Sequence, residues 1–416
     1  MPAAEREPRR VVVTGLGAVT SIGTGREPFW RALLAGTSGV SKVQGFDVSQ
    51  LDVDIAAQIH DFDAAAYMSS ERAASCGRAS RLGIAAARLA LEDAGLTPSK
   101  LGAASPAVLI GTTMGESDVQ EKLTETMARQ GFESAERSDV LRLADSLIAL
   151  NIAAELELDA DCGVFATACA AGNYAIGDGF DRIRAGLNDL VLAGGSDAFS
   201  RVSYAGFARM NALAPGRCQP FDKHRQGIVI GEGAGVVVLE ALEHARARGA
   251  RIDAEVLGYG LSCDAHHMTI PHAGGIRRVM QDALEQAGLG PGAVSAISAH
   301  GTGTPMNDKT ECEAIHAVFG DRSRTIPVNS IKSMLGHTMG AASALEAIAC
   351  ILSLAEGLLP PTINYETPDE ECPIDCVPNR MRAFQPEVVL NNSFAFGANN
   401  ACTVLGRYRP EPRPAA

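Results

Sequence analysis

The 416-residue sequence predicts an α/β protein. Short β-branched runs with glycine at their ends alternate with alanine-rich or helically periodic segments, and a second round of the same alternation begins at Ile252. With 46% hydrophobic residues, the chain can build one large duplicated unit or two average domains.

In chain order, Arg10 to Val19 reads as a buried strand with a Gly-Leu-Gly turn, and Phe29 to Ala35 as the helix after it. Ala79 to Ala94, rich in alanine and carrying Leu82, Leu89 and Leu91, reads as a packed helix, and Ala107 to Gly111 as a strand. Between Ser117 and Asp145 the composition turns charged, which predicts an irregular or helical excursion. Leu190 to Ala193 is a strand, and Ile228-Val-Ile and Val236-Val-Val-Leu read as two strand halves around Gly231-Glu-Gly-Ala-Gly235. Those glycines run into a β-branched strand. A dinucleotide loop would instead open a helix to receive the pyrophosphate, so a nicotinamide site is not expected. The second round predicts strands at Ile252–Gly260, Ala293–Ala299 and Thr325–Asn329, helices at 276–287, 308–319 and 338–355, and last strands near Val388 and Thr403.

No run of eighteen apolar residues occurs and residues 1–10 contain no apolar leader, so a cytoplasmic protein without membrane insertion is expected. The ten cysteines lack a framework spacing, which fits free thiols. A net charge of −13 argues against nucleic-acid binding, while leaving room for a local basic patch.

The chemistry concentrates in three places. The stretch Gly163-Val-Phe-Ala-Thr-Ala-Cys169 reads as a strand whose end turns into a helix carrying Ile176, Phe180, Ile183 and Leu187. A cysteine at a helix N-terminus meets unpaired N–H groups and the helix dipole, so a lowered thiol pKa and a stronger nucleophile are expected. A lone cysteine is commonly just a core residue. Here two histidines follow in small-residue turns, His300-Gly-Thr-Gly-Thr-Pro305 and Lys332-Ser-Met-Leu-Gly-His337. Cys263, His266, His267 and His272 lack a zinc-like spacing, and Cys372 and Cys376 have no histidine nearby.

Together with Val12-Val-Thr-Gly-Leu-Gly, Ala193-Gly-Gly-Ser-Asp, Pro220-Phe-Asp, Gly231-Glu-Gly-Ala-Gly and Asn392-Ser-Phe-Ala-Phe-Gly, these motifs make the chain resemble the β-ketoacyl-acyl-carrier-protein synthases. The resemblance, from about Arg10 to Arg407, is greatest to the synthase II type and stand-alone polyketide ketosynthases. It implies a thiolase-like fold of duplicated α/β halves in a layered αβαβα arrangement. Residues 1–251 would carry the nucleophilic cysteine and 252–416 the two histidines. It further implies that Cys169 is acylated by a carrier-bound thioester, with the amides of Cys169 and Phe396 holding the oxyanion. His300 and His337 would then stabilise the enolate of a decarboxylating malonyl-type carrier, supported from below by Lys332 and Glu346. The resemblance places Met114, Thr302, Thr304, Phe394 and Phe396 along the substrate pocket. It calls for an acyl carrier protein as partner, a homodimer, and neither cofactor nor metal.

Three stretches depart from the family pattern. Phe394-Ala-Phe-Gly-Ala-Asn-Asn400 has alanine where glycine is usual at Ala395 and Ala398, and any alanine required at positive φ there would cost roughly 1–2 kcal/mol. The docking helix near Ser69 to Arg78 is less basic than usual, leaving Arg72, Arg78 and Arg81 as the expected carrier patch, and Leu143 to Asp161 differs near the implied dimer interface. A thiolase would need a second cysteine near the C-terminal motif, and a non-catalytic chain-length subunit would have lost Cys169. A ketosynthase that cyclises or transfers its chain fits as well as one that extends it.

Overall fold

The structure, a computed structural model, describes residues 8–97, 101 and 105–410. Residues 1–7, most of the stretch read above as free of an apolar leader, lie outside them. Ten strands carry the architecture. The first five are β1 (Val11–Thr20), β2 (Ala107–Gly111), β3 (Asp161–Phe165), β4 (Leu190–Asp197) and β5 (Gly233–Ala241). The second five are β6 (Ala254–Cys263), β7 (Ala296–Ser298), β8 (Val328–Asn329), β9 (Val388–Phe394) and β10 (Asn399–Gly406). They form one sheet in the order β8-β7-β9-β10-β6-β1-β5-β4-β2-β3, to which Gly23–Thr24 adds a short extra strand beside β1. Counted in chain order, each set of five has the spatial order 3-2-4-5-1, and the sets meet at their first strands. The duplication is therefore explicit in the topology although no repeat is legible residue by residue.

Six helices cover this sheet: α1 (Arg78–Asp93), α2 (Leu147–Glu155), α3 (Ala171–Arg184), α4 (Ala273–Gln286), α5 (Pro305–Phe319) and α6 (Ala342–Glu356). Side chains alternate between faces along a strand, and the partners of each face define the layers. In β2, Ala107 and Leu109 share a core with Ile176 and Phe180 of α3 and Leu345 and Ile348 of α6. Val108 and Ile110 of the same strand share another with Leu82 and Ile84 of α1 and Ile148 and Ile152 of α2. The second half repeats the arrangement: Val389 of β9 joins the central core and Leu390 joins α4 and α5. The result is five layers, αβαβα, with α3 and α6 in the middle. Strands buried on both faces need apolar residues at every position, which is why β2 and β5 read as continuous runs.

The helical stretch Met339–Glu356 is apolar and long enough to cross a membrane, but 89% of it is buried inside the protein. Ser117–Gln130 is helical, followed by shorter turns, as the charged excursion suggested. Two readings need correction. Ile228 and Ile230 make isolated bridges only, to Leu213 and His337, so the paired strand begins at Gly233. The Gly-Leu-Gly segment is no turn: β1 continues through it with a bulge between Val13 and Gly15. The glycines are there because α1 lies against them. A Cβ on Gly15 would stand 2.2 Å from the Ala90 carbonyl oxygen and one on Gly17 1.9 Å from that of Ala86. Gly17→Ala should therefore push α1 off β1 and lower stability in urea titration by about 1–3 kcal/mol or more, and an unchanged midpoint would show that α1 yields freely.

Candidate active site

The three reactive side chains arrive from different elements and converge beside the central layer. After β3 the chain passes Thr167, takes a left-handed step at Ala168 (φ 51°) and makes a tight turn over Ala168–Ala170 before α3. That turn carries Cys169, only 7% exposed, with its carbonyl accepting from the Ser393 hydroxyl at 2.8 Å. His300 follows β7, where the Glu311 carboxylate accepts the N–H groups of His300 (2.9 Å) and Gly301 (2.8 Å). His337 follows the short helix Lys332–Leu335, and its own N–H donates to Val229 at 2.6 Å. The reactive atoms of Cys169, His300 and His337 all lie within 4.8 Å of one another, and the two imidazoles sit edge to face with centroids 5.5 Å apart.

Hydrogen bonding fixes which ring nitrogens carry protons. The Met339 N–H donates to His337 Nδ1 at 3.1 Å, so the proton of His337 is on Nε2. At His300 the Lys332 ammonium faces Nδ1 at 3.4 Å and donates to the carbonyl at 2.7 Å, which likewise leaves Nε2–H. Lys332 also pairs with Glu346, both fully buried. Burial, reinforced by the Lys332 charge, pushes both imidazoles well below the ordinary histidine range, so they are neutral N–H donors at pH 7. A metal ion would need the Nε2 lone pairs. With protons held there, the trio offers one S–H and two N–H groups.

The thiol contradicts the sequence-based expectation. Burial pushes Cys169 up to about 11, although Lys332 and the N–H groups of Phe396 and Cys169 pull it down. Its turn precedes α3 in a closed site, and desolvation of a thiolate outweighs the helix terminus. The two amides are nevertheless directed at the sulfur. Burial also raises Glu311 and Glu346 to about 7 and Asp197 to about 6.

Thr302, Thr304, Phe394 and Phe396 line a cavity of about 460 Å³ that opens from Cys169, His300 and His337 to the surface. The Thr302 and Thr304 hydroxyls are 2.9 Å apart. Phe396, 38% exposed, stacks on Phe207 at 5.8 Å. Met114 is not brought to this cavity; it is half-buried, and its N–H is bound by Asp197 at 2.9 Å. His267 is in the cavity wall. The expected basic patch is not available as expected. Arg78 turns inward onto Glu232 (2.7 and 2.8 Å) and the Ile59 carbonyl, Arg72 onto Asn151 and Glu155, and Arg81 onto the Cys76 carbonyl. A buried carboxylate such as Glu232 requires a cation, and Arg78 is the one in reach.

Sequence reasoning missed Asp197, Glu311 and Phe207. Asp197 accepts from Thr112, Thr113, Met114 and Gly340, tying the ends of β2 and β4 to the turn before α6. Glu311 left a signal: with Asp308 it forms an i, i+3 acidic pair on the helix that begins inside the His300 motif.

Residues 8–245 match the family described as "Beta-ketoacyl synthase, N-terminal domain" and residues 253–366 its C-terminal domain. A 3-oxoacyl-[acyl-carrier-protein] synthase 2 from Synechocystis sp. is 39% identical, covering 98% of this chain and all of that protein. Among solved structures, the ishigamide ketosynthase/chain length factor superposes with a TM-score of 0.94 at 47% identity, covering 97% of this chain and all of that one. A type II polyketide ketosynthase bound to the hexaketide, in complex with its acyl-carrier protein, gives 0.89 at 34% identity, covering 96% and 100%.

One alanine at a usual glycine position sits in the left-handed region, Ala398 at φ 62°, whereas Ala395 is at −102°. Ala398→Gly should relieve roughly 1–2 kcal/mol of strain against about 0.4–1 kcal/mol of unfolded-chain entropy, a net gain. Ala395→Gly should lose stability. Denaturant titration of the two variants should move in opposite directions; a loss in both would mean that Ala398 is not strained.

Proposed function

The chain belongs to the β-ketoacyl synthase family, and from that premise we propose how its residues divide the condensing reaction. Cys169 Sγ attacks the carbonyl carbon of a carrier-bound acyl thioester, and the N–H groups of Cys169 and Phe396 hold the tetrahedral oxyanion. The carrier sulfur leaves, and the proton from Cys169 ends on it. A malonyl-type carrier thioester then loses carbon dioxide. Its enolate oxygen accepts from the Nε2–H groups of His300 and His337, and its carbon bonds to the acyl carbon while the Cys169 sulfur leaves and is reprotonated. The observation that carries this reading is the tautomer pair. Two neutral imidazoles, each with Nδ1 occupied, turn two N–H donors toward one point beside the thiol. Lys332 and Glu346 orient His300 from below, and Thr302, Thr304, Phe394 and Phe396 form the channel. Met114 remains a proposed determinant of chain length from behind the site.

The proposed division of the chain is 1–251 and 252–416, supported by the repeated strand order. We place the protein in the cytoplasm, a reading that the free thiols support. An acyl carrier protein is the proposed partner, and a second copy of the chain is the proposed subunit. Strand β3 supports the dimer, since only β2 pairs with it here and its residues are half-exposed. A related but non-identical subunit is the second reading, favoured by the ketosynthase/chain length factor likeness.

Intact-protein mass spectrometry with a panel of acyl carriers tests the roles. Cys169→Ala should gain no acyl mass. His300→Ala and His337→Ala should still load while losing condensation by about a hundredfold or more. Acylation of Cys169→Ala at the site would remove the assignment. Light scattering on the purified chain should give the mass of two chains, and a single-chain mass at micromolar concentration would favour the non-identical subunit.

A further inference from the structure

We propose that His267 is a positioning residue for the Phe396 loop, latching it through the turn 267–270 while neutral and releasing it when protonated. The proposal rests on the reading of Phe396 as part of the reacting site. The segment 264–272 joins β6 to α4 and is bound to the stretch after β9 in three places. Gly397 N–H donates to the Met268 carbonyl at 2.7 Å, Asp264 N–H to the Ala398 carbonyl at 3.1 Å, and the Asn400 amide to Asp264 Oδ1 at 2.8 Å. The Met268 carbonyl is therefore the direct hold on the residue after Phe396.

What holds Met268 is the His267 ring. Its Nδ1 accepts the N–H groups of Thr269 (3.1 Å) and Ile270 (3.2 Å), closing a turn around Met268, which is itself 76% exposed. Backbone amides can only donate, so Nδ1 must keep its lone pair. A protonated imidazole has two N–H groups and no acceptor, so the turn would bring donors against a donor. Histidine is the side chain whose charge changes between pH 5 and 8. The same group lines the cavity with Phe396, so the latch is within reach of solvent and substrate.

Other titratable groups surround it. Asp264 lies on its own segment and Cys263 ends β6. His266 and His272 have ring centroids 5.1 Å apart, and His272 Nδ1 caps α4 by accepting from Gly275 at 3.3 Å. Arg277 and Arg278 are on α4, and Cys169, His300 and His337 lie deeper in the cavity. His272 is also an acceptor that protonation removes, so a variant must isolate His267.

The test alkylates Cys169 with iodoacetamide and with the bulkier N-phenylmaleimide between pH 8 and 5.5. Peptide-resolved mass spectrometry separates Cys169 from the exposed Cys263. Both reagents need the same thiolate, so their rate ratio cancels the titration of Cys169 and reports access alone. In the wild type the ratio of bulky to small should rise at least threefold as pH falls. In His267→Asn, whose side chain does not titrate, it should be flat. A flat wild-type ratio, or the same rise in His267→Asn, overturns the proposal. Should that variant not fold, hydrogen exchange at residues 396–398 of the wild type decides, since protection that does not fall with pH overturns it too. No condensation is needed for either readout, so a failed loading assay would sink the role of Cys169 and leave this result standing.

Discussion

The buried pair of Lys332 and Glu346 is the interaction on which the site's chemistry depends. Taking both charges out of water costs several kcal/mol per ion, and one salt bridge barely offsets that. The ammonium makes further use of its protons, on the His300 carbonyl and toward His300 Nδ1. It thus places the ring, selects its tautomer and keeps it neutral by charge repulsion, three effects of one buried cation. The same charge pulls the Cys169 thiol downward, against its burial. Replacing Lys332 by an apolar residue would leave Glu346 and the imidazole without their common partner.

The five-layer fold explains why such a site can be closed and yet assembled from distant residues. Helices α3 and α6 pack against both halves of the sheet, and the nucleophile lies at the start of α3 while His337 immediately precedes the turn into α6. The termini of the two central helices bring together residues 169 and 337. Asp197 locks this junction by binding the ends of β2 and the Gly340 amide. Its carboxylate, raised to about 6 by burial, remains tolerable because it has four hydrogen-bond donors.

Much of this was legible in the sequence, because apolar runs and helical periodicity follow from which faces are covered. The strand at Ala107 to Gly111 and the helix at Arg78 to Asp93 were legible to within a residue. The set of Cys169, His300 and His337 was legible because glycine and small-residue turns mark where the chain must bend tightly. What could not be read depended on tertiary surroundings. The thiol pKa follows from how closed the site is, which no local spacing encodes. Arg78 looked like a surface cation until Glu232, far along the chain, claimed it. The bridges at Ile228 and Ile230 failed to become a strand because their neighbours, Leu213 and His337, lie in irregular segments. Ala398 could be suspected from the family pattern, but its left-handed conformation had to be seen.

The seam between the halves is narrow: β1 and β6 pair through Val11–Val13 and Ala254–Val256, braced by Arg10 on Glu255 and Arg26 on Asp253. Its partners are about 240 residues apart, and α3, made early, has one apolar face meant for the second half of the sheet. At about 5–20 residues per second a ribosome needs roughly 10–30 s to supply residues 252–416. During that interval the first half emerges with Ile176 and Phe180 lacking part of their cover, beside the unpaired edge of β1. The nascent chain is thus a client for holding chaperones, and synthesis rate through the second half bears on yield as much as final stability does.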